Sequence, residues 1–212
     1  MCDNQGPEQV KNVKCIAVDG TTATLSWSDV SDDDISYFVV ECKQSDGVWK
    51  SVSRTSTNLG VNLSGLTPEH DYVYRVIGYD KRSNRGTPSE EITVTTLKDT
   101  ICPKVTKITP DPGYFKSEIN LRFTAEDDYR VKSIEIQTST DKESWKTVSE
   151  IKATGESAKC TFDCKLDLKN YEEGSVFVRA KVYDSYGNVT EDKDLTLSLI
   201  HISEPTRLRC IS

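Results

Sequence analysis

No apolar run in the 212-residue sequence approaches the roughly 20 residues that a membrane-crossing helix needs. Its seven cysteines include no Cys-x-x-Cys pair, which removes the usual spacing of zinc and thioredoxin chemistry. Neither a glycine-rich phosphate loop nor a Gly-x-Ser-x-Gly elbow occurs. Histidine is found only at His70 and His201, so a Ser-His-Asp relay has almost nothing to be built from. Basic residues are outnumbered 27 to 34, giving a net charge of −7, the wrong sign for a phosphate-backbone binder. Met1 to Val10 lacks the apolar core of a secretory signal. These gaps set nucleic-acid partners, membrane insertion and the common cofactor chemistries aside.

What is present is alternation. The segment Asp71 to Asp80 puts Tyr72, Tyr74, Val76 and Gly78 on one face of a period-two strand and Val73, Arg75, Ile77 and Tyr79 on the other. Leu66-Thr-Pro68 is the turn that feeds it, because proline presets a turn and cannot donate to a central ladder. Tyr72, six residues after Leu66, matches the tyrosine corner at the start of strand F of a β-sandwich. Six further strands read around it: Val13–Val18, Thr22–Trp27, Ile35–Lys43, Trp49–Val52, Leu59–Leu63 and Glu91–Thr96, with Ser45-Asp-Gly47 as a turn. Trp27, in phase with Ala23 and Leu25, belongs to the core.

The pattern then recurs. Leu25 and Trp27 match Leu121 and Phe123, Phe38 and Val40 match Ile134 and Ile136, and Trp49 matches Trp145, each 96 residues on. By strand F the offset is 104, pairing Tyr72, Val76 and Tyr79-Asp80 with Val176, Ala180 and Tyr183-Asp184, so eight additional residues are expected around Ile151–Lys159. The fold class expected is therefore all-β: two tandem immunoglobulin-like sandwiches, 7–97 and 103–196, joined by the short linker Leu97–Pro103 with its stiff X-Pro step.

With Pro7, Thr24-Leu-Ser-Trp27, Leu66-Thr-Pro68, Tyr72 and Thr87-Pro-Ser89 in place, the first module resembles a fibronectin type III domain. The second is similar to immunoglobulin-like repeats of bacterial surface proteins, through Ile108-Thr-Pro110, Ala125-Glu-Asp-Asp128 and Ala180–Asn188; it departs where Val176 replaces the corner tyrosine. The resemblance implies a non-catalytic spacer or adhesion pair from a longer bacterial protein, secreted or surface-attached, with the parent's other domains, a surface protein or a glycan as partners. Leu197 to Arg207 resembles the translated end of a transposase adapter used for sequencing libraries. On that resemblance 197–212 is a non-native tail, the chain is a fragment, and the second sandwich is truncated in its last strand; the rival is a real strand at Leu195–Ile200.

Two sets of site residues follow. Trp49 and Trp145, each just beyond the C–C′ turn, are the candidate ligand contacts, able to stack on a sugar or anchor a partner or, as the plainer alternative, to cover one side of the core. Asp99 in the linker, Glu126, Asp127 and Asp128 on the expected B–C loop, and Asp184 and Asn188 on the F–G loop form a candidate calcium set at the junction, since Ca²⁺ takes six to eight oxygen ligands. Against calcium, Asp and Asn also cap turns, and Asp32–Asp34, Asp80 and Asn84 repeat the chemistry in the first module. No catalytic residue and no cofactor other than calcium is expected. Cys160 and Cys164 lie about 13 Å apart along a strand, beyond disulfide reach; a Cys15–Cys42 bond across the first sandwich is left open. The alternative function is an accessory carbohydrate-binding region of a polysaccharide-degrading enzyme, and the cysteines keep an intracellular, reduced protein as a second rival.

Overall fold

In a computed structural model of the chain, the described residues are 5–111, 113–115, 117–190 and 197–201. They fall into two units, Met1–Asp99 and Thr100–Ser212.

The first unit is a seven-strand sandwich. One layer holds β1 (Lys14–Val18), β2 (Thr22–Ser26) and β5 (Gly60–Ser64); the other runs β4 (Trp49–Thr55), β3 (Ile35–Lys43), β6 (Asp71–Asp80), β7 (Ile92–Thr95). Between them lie Ala23, Leu25 and Trp27 from one side and Phe38, Val40, Cys42, Tyr74 and Val76 from the other. The face expected for β2, with Ala23, Leu25 and Trp27 turned to the core, is the observed one, because a fixed period of two leaves no second register that buries the same residues. Trp27 meets Phe38 edge-on at 5.6 Å between centroids. Leu59 departs from expectation: it precedes β5 and is 37% exposed. The β3–β4 turn uses Gly47 at φ +81°, a conformation that glycine adopts without penalty.

The corner is as the sequence suggests. The Thr67 backbone N–H donates to Tyr72 Oη at 2.8 Å, pinning the connection that feeds β6. Tyr72→Phe keeps the ring and removes the acceptor, so the first unit should lose about 1–2 kcal/mol. Urea titration of the two proteins measures this; an unchanged midpoint would show that the hydroxyl contributes nothing.

The second unit builds its layers from longer strands. Strand β10 (Glu118–Ser139) pairs with β8 (Lys104–Thr109), β11 (Lys146–Asp167) and β12 (Gly174–Asp184); β13 (Leu197–His201) adds antiparallel to β12, and β9 (Gly113–Phe115) adds parallel to β13. Leu121, Phe123, Ile134, Ile136, Val176, Val178 and Val182 are all at or below 1% exposure in its core. Residues expected as a B–C loop are instead a register break inside β10, between Glu126 and Val131. A bulge bends the strand without releasing it from the ladder. Likewise Ile151–Lys159, where additional residues were expected, lies within β11. In place of a corner tyrosine, Val176 is fully buried, and the approach to β12 is a 3-10 turn, Leu168–Asn170, capped by Asp167 accepting from the Lys169 N–H.

A last strand is present where the sequence reading ends the sandwich: Ser175, Val176 and Phe177 pair with Ile200, Leu199 and Ser198. β13 supplies a partner for the side of β12 that faces away from β10. Cys2, Cys210, Leu195 and Thr196 lie outside the described residues.

Candidate functional site

Each unit carries a ladder of stacked and charged side chains on one sheet, across β3, β4 and β6 in the first and β10, β11 and β12 in the second. In the first, Glu41 and Arg75 are opposite one another on β3 and β6, and Lys43 is opposite Trp49 on β4. This register lays the Arg75 guanidinium 4.0 Å from the Trp49 ring centroid, with Lys43 Nζ at 5.4 Å. Arg75 also donates to Glu41 through Nε at 2.8 Å and Nη2 at 2.6 Å, and Arg85 Nη2 lies 3.4 Å from the same carboxylate. Further along the strands, Tyr37 and Tyr79 stack almost parallel at 4.8 Å, capped by Arg54 at 3.6 Å from the Tyr37 centroid.

The second unit repeats the arrangement at shifted numbers. Arg179 lies 4.1 Å from the Trp145 centroid and donates through Nε to Gln137 Oε1 at 2.9 Å, where the first unit has Glu41. Gln137 in turn donates to Glu135 at 2.7 Å. Glu135 also accepts from the Thr147 hydroxyl, and from Tyr183 OH at 3.0 Å. The hydrogen bond from Thr147, helped by those from Gln137 and Tyr183 and by the charge of Lys181, holds the Glu135 carboxyl below the usual range despite its burial.

Both candidate tryptophans are thus half-buried and carry a guanidinium on one ring face, and Trp145 Nε1 donates to the Lys142 carbonyl at 3.1 Å. Their partners escaped the sequence reading. The signal was there: Arg75 and Arg179 share the 104-residue offset, and Glu41 and Gln137 share the 96-residue offset.

Of the calcium set, Asp99 closes the first unit, its backbone lying over Gly20, and the other five residues belong to the second. Asp184 is fully buried: Oδ1 accepts from the Tyr186 and Asn188 N–H groups at 2.8 Å, and Oδ2 from Asn188 Nδ2. The first unit's Asp80 makes the same three bonds, to Arg82, Asn84 and Asn84 Nδ2. For Asp80, burial raises the carboxyl, but the bonds from Asn84 and Arg82 outweigh it and keep the group below its ordinary range. Asp127 Oδ2 accepts from the Tyr129 and Arg130 N–H groups, and a carboxylate oxygen of Asp127 lies within 4.8 Å of one of Asp184. Glu126 is drawn to the Lys159 ammonium, which with its hydrogen bond lowers the carboxyl's pKa. Asp128 is exposed. The Asp127 and Asp184 oxygens thus cap turns, Asp184 in the same way as Asp80 in the first unit.

The described cysteines, Cys15, Cys42, Cys102, Cys160 and Cys164, are free thiols, and burial raises Cys42, Cys160 and Cys164 above the ordinary thiol range. His70 is an exposed turn residue whose ring meets Tyr72 edge-on.

Among solved structures, the chain is similar to a fibronectin type III domain of a human fibronectin type III domain containing protein 3 (25% identity, 45% of this chain and 91% of that one, TM-score 0.41). It is also similar to the FN1-FN3 domains of chicken CNTN1 (17%, 95% and 69%, 0.41) and to the FN5 domain of Drosophila Lar (21%, 44% and 99%, 0.37). No curated protein matches it in sequence. The family model of the fibronectin type III domain matches residues 8–95, which hold all seven strands of the first unit, and that unit belongs to the fibronectin type III family.

Proposed function

We propose that the chain is a pair of non-catalytic modules that space or present other domains of a longer extracellular or cell-surface protein, of bacterial type, with a surface protein or a glycan as contact. Fibronectin type III domains are generally spacer and adhesion modules of this kind. The observation that carries the reading is the repetition itself. Two units with separate cores share the ladder of tryptophan, arginine and Glu or Gln and the buried Asp-Asn turn, so these polar groups support the fold. The carbohydrate-accessory reading drew on Trp49 and Trp145, and the guanidinium on each ring counts against those two as sugar platforms.

Single-molecule pulling tests the proposal. Two force peaks are expected, each releasing about 300 Å of chain at about 3.5 Å per residue. One peak releasing the whole length, or extension without resistance, would overturn it.

A further inference from the structure

The two modules differ at one place in their shared ladder. In the first, Tyr37 lies opposite Tyr79 in register, and its ring, capped by Arg54, fills the space over Tyr79. In the second, Ser133 lies opposite Tyr183, and Glu150, opposite Glu135, occupies the position of Arg54. The ring and its cap are replaced by a hydroxymethyl group and a carboxylate. A hollow of about 370 Å³ lies here, its polar lining made by Lys132, Ser133, Glu135, Glu150, Lys152, Tyr183 and Asp184. Among the described residues no ring stacks on Tyr183.

The floor of this hollow is already ordered. Tyr183 is held by its bond to Glu135, and Glu135 by Gln137 and Thr147, so neither needs to be fixed when a ligand arrives. We infer that the hollow is a binding subsite for one neutral sugar ring, stacked on Tyr183 in the place that Tyr37 occupies in the first module, with its hydroxyls shared between Glu135, Glu150, Lys132 and Lys152.

Three features select this ligand class. The volume lies within the range of small-ligand sites. An aromatic ring in a rim of polar groups suits a ligand with an apolar face and a hydroxylated edge. Of the three acidic residues that line the hollow, Asp184 is fully buried with its oxygens taken by its own turn; the other two carboxylates and the two ammonium groups balance, so neither an anion nor a cation gains much net attraction, while a polyol finds both acceptors and donors. An arginine side chain from a protein partner is the main competitor, and it would need uncompensated carboxylates.

The inference rests on the non-catalytic reading only in that the ring is held and not cleaved. Absence of sugar binding would leave the two-peak unfolding expected above unchanged, so the two can fail separately. The test is amide-resolved NMR of the full chain with hexasaccharides of β-1,4-glucose, β-1,3-glucose, xylose, mannose and N-acetylglucosamine at millimolar concentration, and with acetyl-arginine amide. At least one saccharide should shift the amides of Ser133, Glu150 and Tyr183 saturably. Ser133→Tyr, which restores the first module's ring, should abolish those shifts in a folded protein. Should that variant not fold, Glu150→Gln, at an exposed position, should weaken the same binding about fivefold. Saccharides that leave these amides unmoved, shifts produced by the arginine compound alone, or binding undiminished in folded Ser133→Tyr or in Glu150→Gln would overturn the inference.

Discussion

Phe123→Ala should destabilise the second unit by about 3–5 kcal/mol, the range for removing a fully buried aromatic ring. Phe123 has no exposure and sits in the first third of β10, opposite Ile108 on β8 and Phe162 on β11, so the cavity left behind borders three strands that share their ladders and cannot move independently to close it. Hydrogen exchange of the β12 amides, compared between the two proteins across a urea series, reads this unit directly. A loss below about 1 kcal/mol would mean that the strands do collapse into the space and that Phe123 is not central to the packing.

Arg75→Ala should be nearly as damaging to the first unit, at about 2–4 kcal/mol. The figure combines charge-assisted hydrogen bonds to a carboxylate, about 1.5–3 kcal/mol, with a cation–π contact of about 0.5–2 kcal/mol. It applies because the pair is largely shielded, with side-chain exposures of 19% for Arg75 and 14% for Glu41, and because removing the arginine leaves Glu41 with only the longer contact from Arg85. Arg75→Lys should recover part of the loss, since a compact ammonium cannot both lie flat on Trp49 and donate twice to Glu41. The contrasting pair is Arg122–Asp163, where both side chains are more than 60% exposed; Arg122→Ala should leave the midpoint unmoved within error. Urea titration of all three variants decides the matter. Equal and negligible effects of Arg75→Ala and Arg122→Ala would show that the ladder is decoration on an indifferent sheet.

The fold was readable because it is written in a period-two code with few alternatives. Ala23, Leu25 and Trp27, or Phe38, Val40 and Cys42, can be buried together in one register only, and Tyr72 needs only a turn upstream to find its partner. The offset of 96 carried the same reading into the second unit, where Ile134 and Ile136 are buried as their counterparts are. Less legible were the features that depend on contacts across strands. That 127–130 remains within a strand depends on its neighbours in β8 and β11 holding both flanks, and acidic residues in a row look like a loop when read alone. The stacking of Arg75 on Trp49 joins two strands through a third, and the hollow over Tyr183 becomes visible only when Ser133 is set against Tyr37 in register. The turn chemistry of Asp184 was foreshadowed by Asp80, because the same Asp-x-x-x-Asn spacing in both modules suggested the same local hydrogen bonds.

The continuity of β10 across residues 127–130 also bears on where this protein tolerates enlargement. A peptide inserted at 127–130 would break a segment flanked by paired residues and tied by the Asp127 carboxylate, so that end of the second unit is poorly suited to accepting cargo. The tip between β10 and β11, residues 140–144, is exposed and held chiefly by Asp141 and Ser139, and grafted epitopes or affinity tags belong there, short of the stacked Trp145.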